Sequence, residues 1–203
     1  MCFTSVTELP QNEIPAAALT DIDLIVLTPL VGPLHEHANS YARDNEISLA
    51  LCGIAEPQVL TWLPQMFMLA INEYEMQLLA NMEPGLNPEK LSQRMPGYLY
   101  ITQGSRGCSV YQGGELLAHV AAAKPRQVVD TTGAGDAFFA ATLASIRKGS
   151  GPVQAAQIGV LAGSLVIEKV GCQVNLPDWS MLADRAGELY PDLATQVDKV
   201  RMI

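Results

Sequence analysis

The sequence predicts an α/β fold of three layers (α-β-α), with helices on both faces of a mainly parallel central sheet that ends in an antiparallel edge. Three observations carry that expectation. Short apolar runs alternate with helix-like stretches through the first half of the chain, the pattern of a wound parallel sheet. Two further short runs flank Gly113-Gly114, which reads as a tight antiparallel hairpin. Two Ala-rich stretches parted by Gly149-Ser150-Gly151 then read as consecutive helices with a glycine-marked break.

The elements follow in order. The run from Asp23 to Leu27 is continuous in apolar residues after its first position, as expected of a strand buried on both faces. Pro33 to Asn45 is polar and helix-like, and Ile47 to Cys52 is again short and apolar. A helix over Pro57 to Leu63 precedes a third strand, Met66 to Ile71. Asn72 opens a helix through Ala80, and Asn87 to Arg94 forms a second short one. Tyr98 to Thr102 is a fourth strand, ended by Gly104, and the hairpin strands are Cys108 to Tyr111 and Glu115 to Val120. After Val128-Val129, helices span about Ala137 to Lys148 and Pro152 to Lys169. Asp178 to Ile203 is expected as an amphipathic helix against the sheet. With no internal repeat or low-complexity linker, residues 1–203 are expected to form one domain.

Composition narrows the function. At 203 residues, 49% hydrophobic and 16% charged, the chain can bury a sizeable core and is not of a disordered type. A net charge of −9 argues against nucleic acid as a partner, because phosphate neutralisation needs clustered Lys and Arg. No apolar run reaches the length of a membrane span, and Met1 to Pro10 lacks the pattern of a secretory leader. Cys2, Cys52, Cys108 and Cys172 are scattered with no CxxC pair, so buried free thiols in a reducing cytoplasm are expected. His35-Glu36-His37 reads as a solvated helix face rather than a metal site. Met66, Met68, Met76, Met82 and Met95 read as core filler and exposed helix.

The segment Asp130-Thr131-Thr132-Gly133-Ala134-Gly135-Asp136-Ala137-Phe138 carries the chemistry. Small residues admit an anion close to the backbone, and the first amides of a helix lack intrahelical partners. Those amides and the helix dipole favour negative charge in front of the helix. A transferring phosphoryl group is such a charge. Asp136, in the first turn, can accept the proton of an attacking hydroxyl. Taken alone, the residues also suit a plain helix start, with a Thr as N-cap and Asp136 complementing the dipole. The run is not a P-loop, because it lacks the Gly-x-x-x-x-Gly-Lys pattern.

Asp130 to Phe138 resembles the C-terminal signature of the PfkB/ribokinase family of carbohydrate and nucleoside kinases. The resemblance implies a ribokinase-like fold and ATP-dependent transfer to a sugar, polyol or nucleoside hydroxyl. It implies Asp136 as the base and the amides of Gly133, Ala134 and Gly135 as the anion hole. It also implies Asp130 and the Thr132 carbonyl as ligands of a monovalent cation such as K⁺. Asn72-Glu73-Tyr74-Glu75 resembles the family's Asn-x-x-Glu motif, which implies Asn72 and Glu75 acting on Mg²⁺ through water. The same residues would serve as a capping box.

Thr102-Gln103-Gly104-Ser105-Arg106-Gly107 resembles the nucleotide-binding loop, with Thr102, Gly104 and Gly107 at the matching positions; two turn glycines after a strand would explain it as well. The Gly163 region and Val170-Gly171-Cys172 resemble the adenine-pocket wall and the cation loop, with a residue near Val160 in place of a frequent Asn. From about Asp23 the elements line up with the family's second half. Residues for the lid, the first strands and the Gly-Gly sugar motif are not found, and Met1 to Ala18 is too short to form a lid. Self-association or a separately encoded partner is therefore expected to cover an exposed sheet edge. Two other outcomes stay open: a catalytically inactive nucleotide-binding module, and one half of a split kinase.

Overall fold

The computed structural model of the protein describes residues 14, 19–27, 32–53, 56–190, 193 and 197. Parallel strands β1 (Leu24–Leu27), β2 (Ser48–Cys52), β3 (Met66–Asn72) and β4 (Tyr98–Thr102) are followed by the antiparallel pair β5 (Cys108–Gln112) and β6 (Glu115–Val120). The six lie in the sheet in their order along the chain. Every parallel step therefore moves in one direction, and right-handed crossovers then send all the intervening helices to the same face. Those helices are α1 (Pro33–Asp44), α2 (Val59–Trp62), α3 (Glu73–Met82) and α4 (Pro88–Gln93). The opposite face is left for the helices after the hairpin, α5 (Ala134–Arg147), α6 (Pro152–Val166) and α7 (Trp179–Leu189).

Two cores result, one on each side of the sheet. Leu49, Leu51, Leu69, Ile71, Leu99 and Ile101 point toward Trp62, Leu79 and Leu91 on the first face. Ala50, Met68, Ala70, Tyr100 and Val110 point toward Phe138, Leu161, Leu182 and Ala186 on the second. This is the two-residue alternation of strands covered on both faces. Each fully buried leucine among them contributes roughly 1.5–3 kcal/mol relative to exposure. Leu193 and Val197, helical and buried, join the second core.

Several expectations from the sequence change. β1 begins at Leu24 and is not buried on both faces: Leu24 and Ile25 are half-buried and Val26 is 50% exposed. It is the outer strand of the sheet, and among the described residues none pairs with its far side. α5 starts at Ala134 rather than Ala137, because left-handed Gly133 is the last residue before helical backbone and Ala134 favours the helix. α6 stops at Val166 rather than Lys169. Val128 and Val129, 64% and 46% exposed, lie in the irregular stretch before α5.

His35 is buried, not solvated, since α1 turns His35, Ala38, Asn39 and Ala42 inward. Met66, Met68, Met76 and Met95 are core and Met82 is exposed, as expected. Of the cysteines, Cys108 is buried, whereas Cys52 and Cys172 are half-buried; all three are free thiols. Cys2, most of Met1 to Ala18 and most of the chain after Tyr190 lie outside the described residues. No described helix is long and apolar enough to cross a membrane.

Candidate active site

The C-terminal ends of β2, β3 and β4 and the N-terminus of α5 form one edge of the molecule, where open α/β sheets bind ligands. A cavity of about 550 Å³ opens there, within the size range of small-molecule sites. Six residues singled out in the sequence line it: Thr102, Gly104, Gly107, Ala134, Gly135 and Gly163. Val160 lines it too. The wall also includes Ser105 of the 102–107 loop and Thr131 and Phe138 of the signature segment, with Lys124, Pro125, Val128, Gly159 and Ile167, to which the sequence assigns no role. Lys124, Pro125 and Val128 lie in the irregular stretch between β6 and α5, where no periodic pattern marks them. Gly159 could have been read from the small-residue face of α6, which lies against α5: a Cβ at Gly159 would stand 2.7 Å from the Phe138 ring.

The turn before α5 is set by Gly133, whose φ of 82° lies in the left-handed region that glycine adopts without strain. A Cβ there would also stand 2.5 Å from the Cβ of Cys172. The Ala134 amide donates to the Thr131 carbonyl at 3.3 Å. The amides of Gly133 and Gly135 find no acceptor among the described residues, as expected of unsatisfied donors at a helix start. Asp136 is exposed at this end.

Asp130 organises the turn from below. Its carboxylate accepts from the Thr132 amide at 3.0 Å and from the Gly171 amide at 2.9 Å. The Gly171 amide first, and Thr132 after it, hold the Asp130 carboxyl below the usual carboxylate range. Both oxygens of this predicted cation ligand are thus already engaged by backbone, though each keeps a second lone pair.

Asn72 and Glu75 form the reciprocal cap at the start of α3. The Asn72 side chain accepts from the Glu75 amide at 2.9 Å, and Glu75 Oε2 accepts from the Asn72 amide at 2.8 Å. The capping-box reading is therefore realised. The other carboxylate oxygen of Glu75 faces Gly53, just past β2. Cys52 links this corner to α5: its Sγ lies 3.9 Å from both the Gly135 carbonyl and Asp136 Oδ1. Burial, then the charges of Asp136 and Glu75, push the Cys52 thiol up to about 12, so it stays protonated at neutral pH. The sequence did not single out Cys52 for this place.

The predicted residues thus fall into three neighbouring groups: the cavity wall, the Gly133–Asp136 turn with Asp130 and Thr132 beneath it, and the Asn72–Glu75 cap. Among the described residues, no three His, Cys, Asp or Glu side chains are arranged to hold a metal ion by themselves.

Comparison with known proteins gives this arrangement a family. The nucleoside kinase of Methanocaldococcus jannaschii is 36% identical over 87 residues, which are 43% of this chain and 28% of that protein. The solved nucleoside kinase of Burkholderia thailandensis, in complex with inosine, superposes with a TM-score of 0.74 at 22% identity, over 85% of this chain and 57% of that one. Arabidopsis thaliana ribokinase complexed with ribose and ATP superposes with a TM-score of 0.67 at 22% identity, over 80% of this chain and 55% of that one. The chain thus spans less than two thirds of the length of each. A family model described as pfkB family carbohydrate kinase matches residues 5–179, most of the sequence, and the chain belongs to that family.

Proposed function

We propose that this chain transfers the terminal phosphoryl group of ATP to a hydroxyl of a sugar, polyol or nucleoside. The observation that carries the proposal is the meeting of Thr102, Gly104, Gly107, Ala134, Gly135 and Gly163 around one cavity, beside the Gly133 and Gly135 amides, which have no acceptor among the described residues, and the exposed Asp136 carboxylate. Thr102, Gly104, Gly107 and Gly163 would hold the nucleotide. Asp136 would take the hydroxyl proton as the acceptor oxygen bonds to phosphorus and the bond to the departing ADP oxygen breaks. The Gly133, Ala134 and Gly135 amides would receive the charge on the transferring group. Because the Ala134 amide already turns to Thr131, Gly133 and Gly135 would carry most of that stabilisation.

Mg²⁺ would neutralise phosphate charge, held through its water shell by Asn72 and the free Glu75 oxygen, a fit for an ion that keeps much of its water. The second lone pairs of Asp130, with the Thr132 carbonyl, would serve a monovalent cation such as K⁺. The free thiols suit a reducing, cytoplasmic setting. Along β1, whose outer side is unpaired among the described residues, a strand from a second copy or another polypeptide would add to the sheet; a monomer in size-exclusion chromatography counts against that.

The test is Asp136→Asn, assayed with ATP and a panel of sugars, polyols and nucleosides. Turnover should fall by about 10²–10⁴-fold while nucleotide affinity is kept; an undiminished rate removes Asp136 from the mechanism. A second reading is nucleotide binding without transfer, by an inactive module or half of a split kinase. It predicts ATP binding with no product across the panel.

A further inference from the structure

The turn over residues 104–107 supplies Gly104, Ser105 and Gly107 to the cavity wall, yet its own backbone bonds are few. Gln103 N–H donates to the Gly107 carbonyl at 2.7 Å, and the Arg106 and Gly107 amides close it at 3.1 and 3.0 Å. Gly107 is pressed onto the end of β6, where a Cβ would stand 2.0 Å from the Val120 carbonyl oxygen. A short exposed turn of this kind holds one shape only if side chains tie it from outside.

Five side chains do so in one continuous chain of bonds. His119 Nε2 lies 2.8 Å from the Arg106 carbonyl oxygen. A carbonyl can only accept, so that nitrogen carries a proton and donates. His119 Nδ1 lies 3.2 Å from Ser109 Oγ, and Ser109 Oγ lies 3.4 Å from Gln103 Oε1, the single hydroxyl proton serving one of these two acceptors at a time. Gln103 Nε2 donates to Glu73 Oε1 at 3.1 Å. Because the Glu73 carboxylate can only accept, the orientation of the Gln103 amide is fixed, with its oxygen toward Ser109. Glu73 Oε2 pairs with Arg106, closing the circuit on the turn where it began. Glu73 is also the first residue of α3, directly after the Asn72 cap.

We propose that His119, Ser109, Gln103, Glu73 and Arg106 act together as positioning residues that lock the 104–107 turn into its nucleotide-binding shape and tie it to the Asn72–Glu75 corner. Resting on the kinase reading for the ligand, the circuit sets nucleotide affinity without touching the reacting atoms. Its loss loosens the cavity wall and leaves the Gly133–Asp136 turn in place.

The experiment measures ATP affinity calorimetrically for wild type, His119→Ala, His119→Gln, Gln103→Ala and the His119→Ala/Gln103→Ala pair, with thermal unfolding of each. His119→Ala should weaken binding about threefold to tenfold, the consequence of one or two lost hydrogen bonds, with a melting temperature lowered by only about a few °C. His119→Gln, which can still donate to Arg106 and accept from Ser109, should recover most of the affinity. The double variant should bind no worse than the weaker single one, because both break the same circuit. Wild-type affinity in His119→Ala, failure of Gln to rescue, or multiplying losses in the double variant overturns the proposal and leaves the kinase reading standing. A wild-type chain that binds no ATP removes the kinase reading, and this inference with it.

Discussion

Replacing Gly133 by Ala tests the turn before α5 through two separable costs. The first is backbone: at φ 82° and ψ 0° an L-residue costs roughly 1–2 kcal/mol. The second is space, since the new Cβ would stand 2.5 Å from Cys172 Cβ and 3.1 Å from its Cα, so the 170–172 segment must move. Overpacking of that kind costs roughly 1–3 kcal/mol. Gly149 separates the two, because its φ is +91° and nothing lies within 4 Å of a Cβ built on it. Gly149→Ala should therefore show the backbone cost alone.

For a chain of this size, each kcal/mol lowers the melting temperature by roughly 2–4 °C. Gly149→Ala should lose about 2–8 °C by that measure, and Gly133→Ala about 4–20 °C. Adding Cys172→Gly to Gly133→Ala should return part of the difference by making room. Moving the 170–172 segment also pulls the Gly171 amide from Asp130, so Gly133→Ala should lose nucleotide affinity as well as stability. If calorimetry shows Gly133→Ala and Gly149→Ala melting together, the packing of Gly133 against Cys172 is not what shapes the turn.

Three further outcomes follow. Arg185 and Glu168 pair at 2.9 Å with side chains only 4% and 12% exposed, and Glu168 also accepts from the Arg126 amide at 2.7 Å. Arg185→Leu should destabilise by roughly 3–5 kcal/mol in urea unfolding, because it strands a buried carboxylate; a change under about 0.5 kcal/mol, the size of a surface substitution, contradicts that. Because burial, Asp136 and Glu75 push the Cys52 thiol up to about 12, its alkylation, followed by mass spectrometry, should keep accelerating through pH 10 and be faster in Asp136→Asn. A plateau below pH 9 would rule out that environment. Asp130, held below the usual carboxylate range by the Gly171 and Thr132 amides, should contribute stability above about pH 4, its unfolded value. That contribution is lost as pH falls through the lower folded value, so Asp130→Asn should flatten the acid limb of the stability curve.

Legibility in the sequence followed the range of the interactions. Tyr98–Thr102 is legible to the residue because Gly104 follows it closely and its first four side chains are aromatic or aliphatic. The Gly113-Gly114 turn was equally plain, both residues adopting positive φ between paired strands. β1 misled because an apolar run states a preference for burial, while its place in the sheet decides how much it receives. His35 misleads for the converse reason: a polar side chain suggests a face toward water, but helix periodicity puts it beside Ala38 and Ala42.

At the candidate site, the local part was visible and the tertiary part was not. Gly133 to Asp136 is one contiguous segment, as is the Asn72–Glu75 cap. The Asp130–Gly171 bond spans 41 residues and the Cys52–Asp136 approach spans 84, separations at which one sequence carries no periodic signal. The His119 circuit joins α3, the 104–107 turn, β5 and β6 through polar side chains that each look like ordinary surface residues.

The most direct measurement is a crystal structure with a non-hydrolysable ATP analogue and Mg²⁺. The base should lie in the cavity lined by Val160 and Gly163, and terminal phosphate oxygens within about 2.7–3.2 Å of the Gly133 and Gly135 amides. Asp136 should then face the phosphorus from the side open to an acceptor hydroxyl. Phosphates placed away from the α5 N-terminus, or a nucleotide bound outside this cavity, would contradict the kinase reading.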